Sequence, residues 1–550
     1  MAPGDLEQYW LQRETWDDYD QLQSAFEWEI PDRFNLASVL TDQWSERETT
    51  AIFAATPDCQ RTVSFAELQH RVNKLANFLA ANGIGEGDKV GISAPQIPET
   101  LITHLAAWKL GAVSVPTSVL FGQEALRYRF VDANIDACVA AESNIDTVRA
   151  VVDDLSVTTI LTTGVESRRP GELDFSAAIA DCSPARETVD TAPEDPCLII
   201  YTSGTTGQPK GVVHGHQMLL GQLPHFACSF CNLELNDTDV FYAPIEWSWI
   251  AMFNFIVPAL FYGRPLVAYA GGSFDPAETF ELLERYAVTC FGVPPTALRK
   301  MKAVSDPAEQ YDIDAVRVVE TGGEALNQDV VAWASEVFGA TIHENYGQTE
   351  ADVLIGDCTA LGPRKQGSMG RVLPGHEVAV VDTETLEPVQ DGETGELAVR
   401  YVDDPVCFIN YLHKPQRTAE KVQDGWLLTG DLAAKTSDGY YRFKGRSDEI
   451  IISAGYRIDP TEIEETLTTH AAVRDAGVVG VSHEERGEVP KAFVVVESSA
   501  IRSSLESELE AHVKQQLALY EYPREWEFLE ELPTTITGKT DRSVLKSRTE

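Results

Sequence analysis

Short apolar runs alternate with helix-like segments over the first 340 residues of the chain. The runs Lys89–Ser93 and Ala112–Val115 have the length and β-branched content of strands, and the longer apolar segment Ile97–Leu110 between them has that of a helix. A second helix is predicted from Glu124, and the same alternation continues through strand-like runs beginning at Ala137, Thr159, Leu198 and Arg317. Such βαβ repetition predicts parallel sheets covered by helices, which is the α/β fold class.

The pattern changes at about residue 366 to short strands separated by tight glycine turns. Examples are the runs Glu377–Val381 and Leu397–Arg400, with the turn Asp391–Gly395 between them. This segment predicts a small β subdomain.

The last hundred residues or so form a third pattern. It starts after Lys444–Asp448 with an apolar run at Ile450, and a helix is predicted from Pro460. Strands near Ala476–Val479 and Ala492–Val496 and a helix near Leu505–Leu519 complete a compact α+β unit.

Length and charge narrow the class of protein. A chain of 550 residues is too long for one core, so two or more domains are expected. The net charge is -43, and the 43 basic residues comprise 28 Arg and 15 Lys. This composition predicts a solvated acidic surface suited to high salt, and it argues against nucleic acid as a partner because phosphate binding needs a basic face.

Three features indicate a cytoplasmic protein without a membrane span. The acidic N-terminal segment has no apolar core of the kind a secretory signal needs. The longest apolar stretch, Ile250–Tyr262, is interrupted by Asn254 and Pro258 and is interpreted as a core helix. The nine scattered cysteines fit reduced thiols in a large intracellular enzyme.

The segment Tyr201–Val212 (YTSGTTGQPKGV) has the composition of a polyphosphate cradle. It follows an apolar strand-like run, its glycines allow sharp turns that aim N–H groups at phosphate oxygens, and its hydroxyls add donors. Lys210 supplies a point charge. An ordinary P-loop is excluded, because two residues rather than four separate Gly204 from Gly207 and because Pro209 precedes the lysine.

Five further segments carry candidate chemistry. In the segment Thr321–Ala325, two glycines allow the backbone to approach a flat base closely. In Glu344–Glu350, Tyr346 can stack on a ring and Glu350 can hold Mg²⁺. In Thr429–Asp431, the carboxylate can accept hydrogen bonds from ribose hydroxyls. The other two are Gly445–Glu449 followed by Ser453–Arg457, and Leu532–Lys539. Any one of them alone is compatible with an ordinary turn or surface segment.

In this order and spacing, the segments resemble those of the AMP-forming acyl-CoA synthetases, in the superfamily shared with nonribosomal-peptide adenylation domains and luciferases. The resemblance runs from about residue 30 to the C-terminus. It implies a large N-terminal domain of two α/β subdomains plus the small β subdomain, residues 1–445, and a small mobile α+β domain, residues 446–550, with a hinge at Asp448.

The resemblance also implies the reaction and its site. A carboxylate attacks the α-phosphate of MgATP to give acyl-AMP, and the thiol of coenzyme A then displaces AMP. The implied catalytic residues are Lys539, Lys210 and Glu350, of which Glu350 binds the metal. The implied ATP-binding residues are Thr202, Ser203, Gly204, Thr205, Thr206, Gly207, Gln208, Pro209, Lys210, Gly323, Glu324, Ala325, Glu344, Asn345, Tyr346, Gly347, Gln348, Thr349, Asp431 and Arg446.

Within the superfamily, the medium-chain acyl-CoA synthetases resemble the chain most, on the segments Phe34–Trp44, Ala454–Arg457, Arg486–Phe493 and Tyr522–Arg524. That likeness implies a coenzyme A surface made of Ala454, Gly455, Tyr456, Arg457, Arg486, Tyr522, Pro523 and Arg524. Exposed arginines of an acidic surface are the alternative interpretation of Arg486 and Arg524.

The acyl pocket is assigned to Trp247 and Gly347. Acetate-specific relatives have Trp where this chain has Gly347, so the likeness implies room for an acid longer than acetate. The segment Pro244–Trp249 departs from the medium-chain pattern by two tryptophans, which leaves chain length open, and Trp249 is equally compatible with a core position. Substrates are therefore expected among short- or medium-chain carboxylates, in fatty acid metabolism.

Three alternatives remain open at this point. One is a free-standing adenylation enzyme that loads a carrier-protein thiol, and another is an acetate or aromatic-acid CoA ligase. The third is a non-catalytic nucleotide-binding protein, which the intact Lys210, Glu350, Asp431 and Lys539 disfavour.

Overall fold

The structure is a computed structural model, and it describes the whole chain except residues 1–2, 154, 203–207, 325–327, 448, 450, 454–455, 484–485, 497–501, 518–520, 536–538 and 550. The described chain divides into two compact units. The first comprises residues 1–365, 370–377 and 400–427, and the second comprises residues 366–369, 378–399 and 428–550.

The strands of the first 372 residues are β1 (Thr50–Ala55), β2 (Gln60–Ser64), β3 (Lys89–Ser93), β4 (Val113–Pro116), β5 (Ala137–Ala141), β6 (Thr159–Thr163), β7 (Glu172–Asp174), β8 (Pro196–Thr202), β9 (Lys210–Gly215), β10 (Phe241–Tyr242), β11 (Leu266–Tyr269), β12 (Cys290–Gly292), β13 (Val318–Gly322), β14 (Thr341–Gln348), β15 (Asp352–Gly356) and β16 (Arg371–Val372). The later strands are β17 (Val378–Val381), β18 (Thr394–Arg400), β19 (Asn410–Tyr411), β20 (Val422–Gln423), β21 (Trp426–Lys435), β22 (Tyr441–Arg446), β23 (Ile451–Ser453), β24 (Tyr456–Ile458), β25 (Val473–His483), β26 (Gly487–Val496) and β27 (Glu525–Leu529).

The helices are α1 (Tyr19–Ala25), α2 (Leu36–Leu40), α3 (Phe65–Ala81), α4 (Pro98–Lys109), α5 (Gln123–Ala133), α6 (Ile145–Val152), α7 (Phe175–Ala180), α8 (Met218–His225), α9 (Ala251–Phe255), α10 (Val257–Phe261), α11 (Pro276–Arg285), α12 (Pro295–Met301), α13 (Pro307–Gln310), α14 (Gln328–Phe338), α15 (Pro415–Lys421), α16 (Pro460–Thr468), α17 (Arg502–Gln516) and α18 (Arg542–Ser547). A π-helical turn, Phe226–Phe230, continues α8, and short 3₁₀ turns occur at Pro3–Tyr9, Leu11–Arg13, Asp42–Trp44 and Glu142–Asn144.

The first unit contains two mixed sheets. One has eight strands in the order β19-β9-β8-β4-β3-β5-β6-β7, and the other has nine in the order β16-β15-β14-β13-β12-β10-β11-β1-β2. The central neighbours are parallel, whereas β8–β9, β19–β9, β14–β15, β15–β16 and β1–β2 are antiparallel. The α/β class predicted from the sequence pattern is confirmed.

The second unit contains two smaller sheets. Strands β17, β18 and β21 lie side by side in that order, β22 pairs with β21, and these strands form the predicted small β subdomain. The C-terminal α+β part has the order β24-β23-β26-β25, with β27 parallel to β26. The second unit contains both the small β subdomain and the C-terminal α+β part. The predicted domain boundary between residues 445 and 446 therefore stays a prediction.

Local signals explain where individual helices begin. Asp275 caps α11, because its side chain accepts from the backbone N–H of Ala277 and Glu278, and Pro276 takes the first position, where no N–H is needed. Asp459 and Pro460 begin α16 in the same way. The predicted single helix over Ile250–Tyr262 is wrong: Pro258 cannot continue the hydrogen-bond ladder, so α9 ends at Phe255 and α10 starts at Val257.

The core is dominated by side chains from the predicted strands and helices. All twelve residues of α4 are buried, and Trp108 within it is fully buried and donates from its indole N–H to the carbonyl of Cys197 at 2.8 Å. None of the helices in the described part of the chain has the length and apolar character that a bilayer crossing requires.

Candidate active site

The candidate phosphate loop connects two adjacent antiparallel strands. Thr202 at the end of β8 is the register partner of Lys210 at the start of β9, so the loop between them is a hairpin connection. Residues 203–207, which include five predicted ATP ligands, lie outside the described residues. Gln208 is exposed, and the Pro209 carbonyl accepts a hydrogen bond from the Tyr128 hydroxyl at 2.9 Å. That bond ties the lysine end of the loop to α5.

Tyr411 connects the two predicted catalytic residues of the first unit. Its ring lies under the Lys210 ammonium, with Nζ 4.6 Å from the ring centroid and 3.5 Å from the hydroxyl oxygen. The same hydroxyl donates to Oε1 of Glu350. Tyr411 and Glu350 are both buried, at 2% and 7% exposure. The predicted phosphate cation and the predicted metal ligand therefore share one hydrogen-bonding partner.

Sequence analysis missed Tyr411. It lies in the two-residue strand β19, which joins the sheet edge beside β9, where Tyr411 is the register partner of Val212. A single tyrosine outside every recognised motif, 201 residues from Lys210 in the chain, has no spacing signal that could have revealed it.

Tyr411→Phe tests this connection. We expect kcat/KM for ATP to fall by about 10- to 100-fold, because the change removes a hydroxyl that bonds to two charged groups. Tyr401→Phe is the matched control, since the Tyr401 hydroxyl donates only to the Ile409 carbonyl among its described contacts, at 2.7 Å. Steady-state kinetics with ATP varied checks the prediction, and equal losses in the two variants would contradict it.

The chemistry around Glu350 fits Mg²⁺. The ion keeps several waters and takes one or two protein carboxylates plus the phosphates of its substrate. Glu350 supplies one hard carboxylate next to the phosphate loop, and the described residues contain no group of three or more His, Cys, Asp or Glu that could form a protein-only metal cage. A metal held partly by nucleotide phosphates agrees with such a donor set.

The Gly323–Glu324 segment follows directly from β13. Gly323 has φ of +86°, a conformation that favours glycine, and it turns the chain at the carboxyl end of the strand. The Glu324 carboxylate accepts from the Thr296 hydroxyl at 2.9 Å and from Arg299 at 2.8 Å. Ala325 lies outside the described residues. Ligands in α/β sheets bind at such strand ends.

The Glu344–Thr349 segment occupies the end of the neighbouring strand β14. Glu344 forms an ion pair with Arg364, and its backbone N–H donates to the Asp357 carboxylate at 3.1 Å. Burial raises the pKa of Glu344 above its ordinary value despite Arg364, and it raises that of Asp357 to about 7. Tyr346 is buried, at 8% exposure, and Gln348 and Thr349 are half-buried.

Gly347 was expected to leave open space for an acyl group, but its Cα faces a neighbouring backbone. A Cβ atom at Gly347 would lie 1.8 Å from the Asp352 carbonyl oxygen and 2.7 Å from the Val353 Cα. The pairing of β14 and β15 shifts register between Tyr346 and Gly347, which brings the two backbones together there. Glycine at this position therefore permits close backbone approach rather than leaving open pocket space. A role for Gly347 in the acyl pocket stays a prediction.

The two tryptophans near the predicted acyl wall differ in environment. Trp247 is 2% exposed within the main apolar core, and its indole N–H has no hydrogen-bond partner among the described residues. Trp249 is half-buried, with its ring edge-on to Phe121 at 6.3 Å between centroids.

In the second unit, Asp431 and Arg446 are register partners on β21 and β22. Arg446 Nη1 donates to Asp431 Oδ1 at 2.9 Å, and the preceding Gly430 N–H donates to Glu396 at 2.8 Å. The two predicted nucleotide contacts of this unit are thus adjacent, with the carboxylate buried and the guanidinium half-exposed.

The remaining predicted residues are in the C-terminal part. The Arg524 guanidinium lies 4.6 Å from the centroid of the Tyr522 ring, with Pro523 between them in sequence. The Arg486 N–H donates to the His483 carbonyl at 3.3 Å, and the Lys539 carbonyl accepts from Thr535 at 2.7 Å. Tyr456 and Arg457 belong to β24. Ala454, Gly455 and Asp448 lie outside the described residues.

Comparison with known proteins decides the family. The family model described as AMP-binding enzyme matches residues 41–402, and the model described as AMP-binding enzyme C-terminal domain matches residues 462–539. The chain belongs to the AMP-binding enzymes. This acyl-CoA synthetase relationship was predicted from the motifs and is confirmed.

This AMP-binding enzyme matches individual known proteins over nearly its whole length. It is 34% identical to the uncharacterized acyl-CoA ligase YtcI of Bacillus subtilis (strain 168), over 89% of this chain and 91% of that protein. The crystal structure of the Brucella canis acyl-CoA synthetase matches with a TM-score of 0.76 and 31% identity, over 97% of this chain and 99% of that one. The anthranilate CoA ligase AuaEII in complex with anthranoyl-AMP matches with a TM-score of 0.86 and 26% identity, over 95% and 98%.

Proposed function

We propose that this AMP-binding enzyme is an ATP-dependent acid–CoA ligase that converts a short- or medium-chain carboxylate into an acyl-CoA thioester through an acyl-AMP intermediate. The observation that carries the proposal is the connection of Lys210 and Glu350 through the Tyr411 hydroxyl at the base of the phosphate loop. This hydroxyl holds a cation for polyphosphate close to a carboxylate for Mg²⁺. The chain also belongs to the AMP-binding enzymes, which makes a nucleotide the expected ligand of the pair.

In the first half of the reaction, a carboxylate oxygen forms a bond to the α-phosphorus, and the bond to the pyrophosphate oxygen breaks. Two anions must meet, so charge neutralisation matters more than proton transfer. We assign Lys210 to the outer phosphates and Lys539 to the substrate carboxylate and α-phosphate. Bound Mg²⁺, held through Glu350, would supply further positive charge to the phosphates. Burial lowers the pKa of His214 and of His216 to about 4, so neither imidazole adds charge at neutral pH.

In the second half, the thiol sulfur of coenzyme A forms a bond to the acyl carbon, the bond to the AMP oxygen breaks, and the thiol proton leaves to solvent. We assign nucleotide binding to Asp431 and Arg446. The coenzyme A surface is proposed at residues 454–457, Arg486 and Tyr522–Arg524. The mobile domain 446–550 and its hinge at Asp448 belong to this proposal. The pair of Arg524 and Tyr522 supports the proposed coenzyme A surface, because the tyrosine ring holds the guanidinium in place for a phosphate.

Two classes of acid are candidate substrates. A short- or medium-chain acid in fatty acid metabolism is favoured by the likeness to medium-chain synthetases. An aromatic acid is the second candidate, because the matched ligase AuaEII is described with anthranoyl-AMP.

Release of AMP with linear acids from C2 to C8 and with aromatic acids, with and without coenzyme A, tests the function. We expect AMP release with at least one acid to depend on coenzyme A and to be matched by a thioester. AMP release that needs a carrier protein instead of coenzyme A would favour the carrier-loading alternative, and no acid-dependent AMP release would refute the proposal.

We further propose that the enzyme acts in a salt-rich cytoplasm. A net charge of -43 repels itself until counterions shorten the Debye length from about 10 Å at 0.1 M to about 3 Å at 1 M salt. We therefore expect the thermal midpoint and kcat/KM to rise as KCl goes from 0.1 M to above 1 M. Sucrose at matched osmolality is the control, and a protein equally stable and active in dilute buffer would contradict the prediction.

A further inference from the structure

A largely buried polar cluster adjoins the predicted adenylate segments of the first unit. We define the polar cluster as His225, Ser229, Glu320 and Asn345. Glu320 is at the centre of β13, and Asn345 is on the neighbouring β14, where it is the register partner of Gly322. His225, Ser229 and Glu320 have 0% exposure, and Asn345 is half-buried.

The hydrogen bonds of the polar cluster are distributed unevenly. His225 Nε2 at 2.9 Å, the Ser229 hydroxyl at 2.5 Å and the Asn345 amide nitrogen at 2.9 Å all contact the same carboxylate oxygen, Oε1 of Glu320. Within the described part of the chain, the other oxygen of Glu320, Oε2, has no partner, and neither has His225 Nδ1. A buried carboxylate oxygen without a donor is costly and calls for a donor beyond those that the described residues supply.

The face of α8 that carries His225 adds to this imbalance. Gln222 precedes His225 by three residues on α8, so the two side chains lie on the same helix face. Gln222 is fully buried, and both polar atoms of its amide are without a partner among the described residues. The interface between α8 and the sheet thus holds several unsatisfied polar atoms in a region otherwise filled by aromatic and aliphatic side chains such as Phe255 and Phe230.

The location of the polar cluster points to the acyl part of the intermediate. The predicted adenylate segments begin at Gly323 and at Glu344. Glu320 precedes Gly323 by three residues on β13 and is the register partner of His343 on β14, one residue before the second segment, so it lies deeper in the sheet than the start of either segment. The part of an acyl-adenylate that can extend past the adenylate toward the core is the acyl group. Burial raises the pKa of the Glu320 carboxyl. The opposing effect of His225, Ser229 and Asn345 is larger, so this pKa lies below its ordinary value. The vacant oxygen is therefore an anionic acceptor at neutral pH.

From these observations we infer that the enzyme selects a carboxylic acid whose acyl part carries a hydrogen-bond donor, a hydroxyl or amino group, and that Glu320 is the specificity-determining residue that accepts it. This inference rests on the proposed acid–CoA ligase function and narrows its substrate class. A purely hydrocarbon chain would leave Glu320 Oε2 without a donor, and a site built around such a group rejects analogues that lack the donor.

The first experiment compares matched acids on the wild-type enzyme. Hexanoate is compared with its monohydroxy and monoamino derivatives, and benzoate with the three hydroxybenzoates and three aminobenzoates, by kcat/KM for coenzyme A-dependent AMP release. We expect at least one donor-bearing acid to exceed its parent by about 10- to 100-fold. The position of that donor, and whether it is a hydroxyl or an amine, identifies which substituent the polar cluster accepts.

The second experiment uses Glu320→Gln, which keeps the shape and removes the anionic acceptor. The ratio of kcat/KM between the preferred acid and its parent should fall by about tenfold or more, while KM for ATP serves as an independent readout. Glu336→Gln, an exposed position on α14, is the matched control and should keep the ratio. Where Glu320→Gln does not fold, the wild-type ratio, together with the shift in thermal midpoint that each acid causes in the presence of ATP, decides the question.

The outcomes separate the two proposals. If parent acids are used at least as well as every donor-bearing acid, this inference is overturned, whereas the ligase function stands. If Glu320→Gln lowers the thermal midpoint but keeps the preference, the polar cluster only stabilises the packing of α8 on the sheet, and the inference is overturned as well. If no acid supports AMP release, the proposed function fails and this inference fails with it.

Discussion

Lys539→Ala is expected to abolish acid-dependent exchange between ATP and pyrophosphate while leaving thioester formation from supplied acyl-AMP largely intact. Removing one group that stabilises developing negative charge costs on the order of 10²- to 10³-fold in rate, and a cation between two reacting anions should cost at least that much. The second half-reaction begins from an uncharged acyl carbon bound to AMP, so a lysine that serves only the first half should not matter there.

The measurement needs both half-reactions on the same preparation. Exchange of labelled pyrophosphate into ATP reports the first half, and the appearance of acyl-CoA from synthetic acyl-AMP and coenzyme A reports the second. Lys546→Ala, an exposed lysine in α18, is the control and should leave both rates unchanged. Equal losses of the two half-reactions in Lys539→Ala would refute the assigned role.

Gly347→Ala is expected to destabilise the first unit strongly, although it adds only one methyl group. The new Cβ would lie 1.8 Å from the Asp352 carbonyl oxygen, so strand β15 would have to move away from β14. Overpacking typically costs about 1–3 kcal/mol where side chains can adjust, and a backbone oxygen cannot, so we expect about 3 kcal/mol or more. The thermal midpoint should fall by several degrees, and acid-dependent activity should fall with it because the adenylate segment 344–350 begins within the same strand, β14.

Gly85→Ala is the matched control for this change. Gly85 has no atom within 4 Å of an added Cβ and no positive φ, so the same substitution should be neutral there. Midpoints from tryptophan fluorescence at fixed KCl provide the measurement. A Gly347→Ala protein as stable as wild type would show that β14 and β15 can separate, and a larger side chain could then be placed at Gly347 to shorten the acyl pocket.

Much of the architecture was predictable from local patterns. The run Lys89–Ser93 is strand β3, and the apolar segment predicted as a helix over Ile97–Leu110 is α4, because period and length in the sequence reflect how these residues are buried. The helix predicted from Pro460 is also present, with Asp459 as its cap. The prediction over Ile250–Tyr262 was wrong because a proline that interrupts helical hydrogen bonding was treated as tolerable within one helix.

The candidate site was predictable where its residues are consecutive. Glycines, hydroxyls and Lys210 in Tyr201–Val212 indicate phosphate binding, because backbone flexibility and donor chemistry are properties of the segment itself. The family followed from the order of such segments and is confirmed by the match of both AMP-binding models.

The sequence by itself determined the family, the α/β class and the kinds of chemistry that the chain carries, because these depend on residue types and on spacings within short segments. Only the tertiary structure decided which distant side chains meet. Tyr411 reaches Lys210 and Glu350 because an edge strand pairs with β9, and three donors converge on one oxygen of Glu320 because the end of α8 and the π-helical turn that follows it pack against β13 and β14. It also decided that Gly347 faces a neighbouring backbone rather than open space. Each of these contacts depends on strand register and helix orientation, which arise from the packing of the whole unit and are not encoded in any single motif.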